Sequence, residues 1–462
     1  MAESQRGRTW LRLICAGGVA AALIVSSGTH NSTSAAGSHG RLVRIDPLPA
    51  ADGRDFCLIP AATQRAERAG ARQSRGPRLP LSSETRVFAG APVRNVQDSY
   101  PAFAAIAVDP ERNEIVVTDE NLFQILTYDR QENTPAEAEA SIPKRRLSGD
   151  NTLIEFQSGL YLDQKNGDVY APNNDTVDTL VVFSHGNEGD VKPKRAVHTP
   201  HGTFDIAVDE TRGELFLTTQ HDATVVVFRK NADKDEEPIR LIQGDETGLA
   251  DPHGIAIDPK ERVIFVANYG SRASRSADLE PQTVRAAHDV SVAKKNWPLG
   301  REYAVPGSGS HSQPSVTVHA LSASGNAKPI RTIQGPKTQL DWPTGVAFDP
   351  DRRELFVAND MGPSILVFDA AASGDVAPKR VLKGPKTKLA NPTDVALDFK
   401  NRELWVANFG GHSATAYPID AEGDAPPVRV IRGAPESAPS LMIGNPGALT
   451  YDRKRQEILV PN

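Results

Sequence analysis

Short apolar, β-branched runs dominate the pattern of this chain. One such run ends in Asp, a polar turn follows, and a second apolar run completes a unit that recurs seven times. The copies are IAVDPERNEIVVTD (Ile106 to Asp119), LYLDQKNGDVYAPN (Leu160 to Asn173), IAVDETRGELFLTT (Ile206 to Thr219), IAIDPKERVIFVAN (Ile255 to Asn268), VAFDPDRRELFVAN (Val346 to Asn359), VALDFKNRELWVAN (Val395 to Asn408) and ALTYDRKRQEILVPN (Ala448 to Asn462). Self-similarity over tens of residues marks a solenoid or a propeller, and short β-branched strands select the propeller. The predicted fold class is all-β: a seven-bladed β-propeller of four-stranded antiparallel blades.

A second repeat supplies the outer strands. Pro-x-Arg-x-apolar occurs around Arg145, Arg195, Arg240, Arg331, Arg380 and Arg429, usually with Gly four residues after the Arg. Each Asp motif predicts an inner pair of strands, runs such as Ile365 to Phe368 predict the third, and the Arg segment predicts the fourth. Gly189-Asp190, Gly325-Asn326, Gly374-Asp375 and Gly423-Asp424 read as hairpin loops between third and fourth strands. The chain stops after the second strand of the seventh copy. Its missing outer strand is expected from the N-terminal segment around Arg86, which would close the ring and remove exposed sheet edges.

A propeller grows blade by blade, so 462 residues are compatible with one large domain, expected over 81–462. Residues 1–36 read as a signal peptide. Arg6, Arg8 and Arg12 precede the apolar run Leu13 to Val25, and small residues continue to Ala36. That run is short for a bilayer span, so the chain is expected to be exported, to the periplasm or beyond, with no other transmembrane segment. Residues 37–80 are a low-complexity, partly disordered lead-in. After cleavage Cys57 is the only cysteine, which excludes an internal disulfide and a cysteine-based zinc site. The net charge is -6, without a basic stripe, so nucleic acid is not an expected partner. A monomer is expected.

The segments Pro-[His/Thr]-Gly-[Ile/Val]-Ala-x-Asp and Phe-Val-Ala-Asn resemble the NHL and YVTN repeats of bacterial β-propellers. The likeness runs from about Thr85 to Asn462 and implies a fold more than a chemistry. Such families include scaffolds, surface proteins, lactonase-like hydrolases and lyases.

In such blades the start of the inner strand and the end of the second strand meet at the mouth of the central channel. The inner-strand ring is Ala104, Ser158, Phe204, His253, Thr344, Thr393 and Gly447. The second-strand ring is Asp119, Asn173, Thr219, Asn268, Asn359, Asn408 and Asn462. Asn and Asp close turns by bonding nearby backbone, which accounts for the second ring by geometry. The motif aspartates, from Asp109 to Asp452, are read the same way, as turn caps on the opposite face. The outer-strand arginines are expected to pair with acids in water and to contribute little individually. An insertion, 271–313, leaves the fourth blade at the mouth and carries Trp297, Tyr303 and His311, suiting a lid.

The expected ligand-binding residues at the channel mouth are His201, His253, Tyr269, Thr344, Asp360, Thr393 and Asp394. Pro252-His253-Gly254-Ile255 also resembles the PHGI segments of peptidyl-hydroxyglycine-lyase propellers, where histidines from separate blades ligate zinc. The resemblance implies a divalent metal, zinc or calcium, on His201, His253 and a carboxylate, Asp205 or alternatively Asp394. In this chain only the fourth blade has His at the aligned position. No G-x-S-x-G elbow, P-loop or haem-attachment motif is present. The sequence therefore favours an exported scaffold that binds a small molecule or an extracytoplasmic protein and needs no cofactor. Its alternative is a metal-assisted lyase or hydrolase.

Overall fold

The computed structural model describes residues 99–174, 177–271, 311–438 and 440, together with the backbone of 295–296, 301–302, 450–452 and 457–459. The expected signal peptide, the lead-in with Cys57, the Arg86 segment, Trp297 and Tyr303 lie outside the described residues. The chain divides into two units; the larger includes Tyr100–Ser440 and the smaller includes Leu441–Asn462.

The larger unit holds six four-stranded antiparallel blades. The first is β1 (Phe103–Asp109), β2 (Glu114–Asp119), β3 (Gln124–Asp129) and β4 (Arg145–Leu147); the second is β5 (Tyr161–Leu162), β6 (Val169–Pro172), β7 (Thr179–Phe183) and β8 (Arg195–His198). The third is β9 (Thr203–Asp209), β10 (Glu214–Thr219), β11 (Thr224–Arg229) and β12 (Arg240–Ile242). In the fourth, β13 (Pro252–Asp258) and β14 (Val263–Asn268) are followed by a short pair in the insertion, β15 (Lys295–Asn296) and β16 (Arg301–Glu302). It then resumes with β17 (Ser315–Ala320) and β18 (Arg331–Gln334). The fifth is β19 (Pro343–Asp349), β20 (Glu354–Asn359), β21 (Ser364–Asp369) and β22 (Arg380–Leu382); the sixth is β23 (Pro392–Asp398), β24 (Glu403–Asn408), β25 (Ser413–Pro418) and β26 (Arg429–Arg432). In the smaller unit the seventh motif copy forms its hairpin, β27 (Thr450–Asp452) against β28 (Glu457–Leu459).

Strand alternation sends apolar side chains to both faces of each blade, where they pack against the neighbouring blades. One cluster joins Phe265 and Val318 of the fourth blade to Leu355 and Phe368 of the fifth. Another joins Ile106 and Leu126 of the first to Trp405 and Ala416 of the sixth.

The ring closes at six blades where seven were expected. Thr393 Oγ1 of the sixth blade donates to the Phe103 carbonyl of the first at 3.2 Å. The loop after β3 pairs with β26: Thr134 N–H donates to the Val430 carbonyl at 2.9 Å, and Ser141 N–H to the Arg432 carbonyl at 2.8 Å. The other five junctions have the same design, a bridge from an outer strand to the next blade's loop: Leu147 to Gly189, Val197 to Lys234, Ile242 to Gly325, Ile333 to Gly374, and Leu382 to Gly423. The first blade's own loop thus occupies the edge that a seventh blade would have used.

The same junctions correct two sequence readings. The Gly-Asp and Gly-Asn pairs are clasps between blades as well as loop residues. Asp424 Oδ1 accepts the Lys386 N–H, and Asp375 Oδ1 the Lys337 N–H, both at 2.7 Å. The Gly four residues after the Arg is the other half of the clasp. At Gly384 φ is +139°, and a Cβ there would lie 2.4 Å from Asp424 Oδ1. The arginines are not paired in water. Arg380 makes two bonds of 2.8 Å to buried Glu354 and lies over the Phe356 ring. Burial alone would raise the Glu354 pKa, but Arg380 and Lys379 more than offset it, bringing it to about 2. Arg145 with Glu114 and Arg240 with Glu214 repeat the fork.

Candidate functional site at the channel mouth

Each complete inner strand carries a bulge near its start, between Pro252 and Ile255 in β13 and between Pro343 and Val346 in β19. A bulge re-aims side chains, and the candidate residues fall there. Asp205 and Asp394 occupy the same strand position in the third and sixth blades, where the second, fourth and fifth have Gly159, Gly254 and Gly345. Asp205 Oδ2 accepts the Ile255 N–H and Asp394 Oδ2 the Ile106 N–H, each at 2.9 Å, so each carboxylate binds the inner edge of the following blade. Burial raises both pKa values, Asp205 to about 7, and the negative charge of Asp205 pushes Asp394 up further.

Several expected ligand groups hold the ring together. Thr344 Oγ1 donates to the Pro392 carbonyl at 3.1 Å, as Thr393 does to Phe103. The second-strand amides are also structural: Asn359 Oδ1 accepts the Asp341 N–H at 2.7 Å and Asn268 Oδ1 the Ala250 N–H at 3.0 Å. The motif aspartates cap their turns, as when Asp109 Oδ1 accepts the N–H groups of Glu111 and Arg112.

What remains at the mouth is a ladder of rings. His253 is packed between Phe204, at a centroid distance of 4.1 Å, and Tyr269, stacked at 3.4 Å and 13°. Tyr269 meets Trp342 at 4.9 Å. The ladder crosses the third, fourth and fifth blades, and both Tyr269 and Trp342 keep part of their surface exposed. A hydrogen-bonded relay sets the His253 ring. Nδ1–H donates to the Asp251 carbonyl at 2.9 Å, so Nε2 accepts from the Gln220 amide at 2.6 Å; the Gln220 oxygen accepts from Asn174 at 2.8 Å. Burial holds the His253 pKa down to about 3. His221, similarly lowered to about 3 by burial and by the nearby His201 and His253, packs against His201 at 4.9 Å.

Carboxylates surround the ladder. Asp360 accepts from the Asn391 amide at 2.8 Å, and Asp251 from the Ser271 hydroxyl. Burial raises each to about 6. The Tyr269 phenol is pushed well above its ordinary range by burial, then by the charges of Asp360, Asp251 and Glu120.

The metal set does not assemble. The His253 lone pair is taken by Gln220, His201 Nδ1 lies 3.1 Å from Asp178, and among the described residues no three His, Cys, Asp or Glu side chains gather as a metal site requires. The neck of the insertion is closed beside Tyr269, where Ser271 bridges His311 and Ser312 N–H donates to the Gly270 carbonyl at 2.7 Å. A cleft between the first and second blades is lined by Glu114, Arg145 and His185, and both Arg145 and His185 bond to Glu114.

A family model described as "Lactonase, 7-bladed beta-propeller" matches residues 307–440, less than a third of the chain. It is a β-propeller protein. Similar solved structures include the hydrazine synthase of Kuenenia stuttgartiensis, 10% identical over 80% of this chain and 97% of that one, with a TM-score of 0.45. A nidogen/laminin complex is 15% identical over 72% of this chain and 92% of that one, with a TM-score of 0.41. No curated protein matches the propeller chain. Among the described residues no helix is long and apolar enough to cross a membrane.

Sequence reasoning missed Trp342. It stands in the column just before the inner strand, with Asp251 and Asn391, and all three have left-handed backbone, φ +55°, +55° and +48°. Asp and Asn tolerate that conformation, but a bulky residue there is strained. Trp in a column of turn residues was the available signal. Phe156, φ +38°, repeats it in the second blade, where it packs against Phe123 at 4.8 Å.

Proposed function

We propose that the channel mouth is a ligand-binding site on an exported β-propeller, with the Phe204, His253, Tyr269 and Trp342 rings as its platform. One observation carries this reading: Trp342 holds a left-handed backbone that its side chain disfavours, at a position where neighbouring blades use Asp and Asn. Such strain costs about 1–3 kcal/mol and persists where function needs the side chain. Export rests on the basic and apolar segments at the start of the chain.

Trp342→Asn tests the site. The variant should melt higher than the parent and lose the small-molecule hits found by thermal shift. A variant that is less stable, or that keeps every hit, removes the platform from the reading.

A second reading has its own observation. Asp205, raised to about 7 by burial, suits general acid–base work near neutral pH. Asp205 would take a proton from a water whose oxygen adds to a lactone carbonyl and return it to the ring oxygen as the acyl C–O bond breaks, yielding the open hydroxy acid, as the partial lactonase match suggests. Lactone hydrolysis abolished by Asp205→Asn with the fold retained would support it; no hydrolysis by the parent chain would end it.

A further inference from the structure

The ring ladder has a charge environment that selects among ligands. We propose, on the basis of the mouth as a binding site, that its ligand is a small organic cation, an ammonium group surrounded by apolar carbon. Ring faces carry negative quadrupole potential, and Tyr269 and Trp342 are the two ring types with a polar handle that best combine with a cation. Among the described residues, the side-chain partners of Asp251 and Asp360 are neutral donors, the Ser271 hydroxyl and the Asn391 amide, and no Lys or Arg pairs with either.

The ladder itself adds no positive charge. His253 donates through Nδ1 to the Asp251 carbonyl and accepts at Nε2 from Gln220, which fixes the neutral ring. The field at Tyr269 is correspondingly negative: Asp360, Asp251 and Glu120, from three blades, all push its phenol in the same direction. An anion would meet these carboxylates at close range and be repelled. A neutral polyol could stack on the rings but would leave the charges of Asp251 and Asp360 uncompensated. An alkylammonium satisfies both surfaces, placing carbon against the rings and charge against the acids.

Isothermal titration of the full chain with choline, and with its neutral carbon isostere 3,3-dimethylbutan-1-ol, tests the inference. Choline should bind at least about tenfold more tightly than the alcohol, and this preference should shrink in Asp251→Asn and, separately, in Asp360→Asn. Melting curves of both variants establish that they fold, and either variant suffices if the other does not. If the alcohol binds as well as choline, and Tyr269→Ala abolishes that binding, the site stands and the cation falls. If choline binding is unchanged in Tyr269→Ala, the site itself is misplaced. If neither probe binds at millimolar concentration, the cation proposal is overturned.

Discussion

The carboxylate of Asp394 accepts the backbone N–H of Ile106 at 2.9 Å, so the last blade of the ring holds the first by its inner edge. Asp205 does the same to Ile255, three blades away. The inner edge of a propeller blade has unpaired backbone donors, and these two carboxylates satisfy two of them from inside the channel. Their burial and mutual repulsion oppose ionisation. Both folded-state pKa values lie above the unfolded value, so the folded state retains protons that the unfolded chain has released.

For a carboxyl with a raised pKa, stability is lost as pH rises from the unfolded value near 3.8 through the folded value, about 7 for Asp205. Asp394→Asn keeps an oxygen acceptor for Ile106 and removes the charge. It should stabilise the protein at pH 8 and have little effect at pH 4, as read from denaturant midpoints at the two pH values. Asp394→Ala, which leaves the Ile106 N–H without a partner, should forfeit about 1–3 kcal/mol of that gain.

His319 gives the opposite pH signature. Five blades place Tyr128, Phe183, Phe228, Phe368 and Tyr417 at the end of the third strand, and the fourth has His319, fully buried with neither ring nitrogen bonded. Burial lowers its pKa to about 4 from 6.5. The unfolded chain therefore takes up the proton first, and stability falls as pH drops from 6.5 toward 4, by about 3 kcal/mol at most. His319→Phe should stabilise at every pH, and more at pH 5 than at pH 8, in thermal melts across that range.

Gly384 and Asp424 form one device. Gly384→Ala forces a side chain into φ +139° and against the Asp424 carboxylate, and should destabilise by about 2–3 kcal/mol. Asp424→Ala relieves the clash but loses the bond to Lys386. The double variant should therefore be less destabilised than the sum of the two single ones, by urea denaturation in a double-mutant cycle.

Most of the blade plan was legible because each strand and turn has a local cause. Asp109 and its equivalents cap turns, and β-branched runs pair across them. The blade count was not legible. The seventh motif copy looks like the other six, whereas the contact that joins the sixth blade to the first is made by Thr134 and Ser141, which lie in a loop without a repeat signature. Of the residues the sequence named for the mouth, His253 and Tyr269 stack on one another, while Thr344 and Thr393 bond neighbouring backbone. The ring ladder was missed because its members come from three blades. Its clearest sign, Trp342 among turn residues, becomes meaningful only once the backbone conformation of that column is known.

Amide hydrogen exchange on the full chain tests ring closure most directly. The N–H groups of Thr134 and Ser141, which join the first blade to the sixth, should be protected to the same degree as those of Gly374 and Gly423 at two ordinary junctions. Exchange of Thr134 and Ser141 at the rate of an open loop, with Gly374 and Gly423 still protected, would show that the sixth blade does not close on the first.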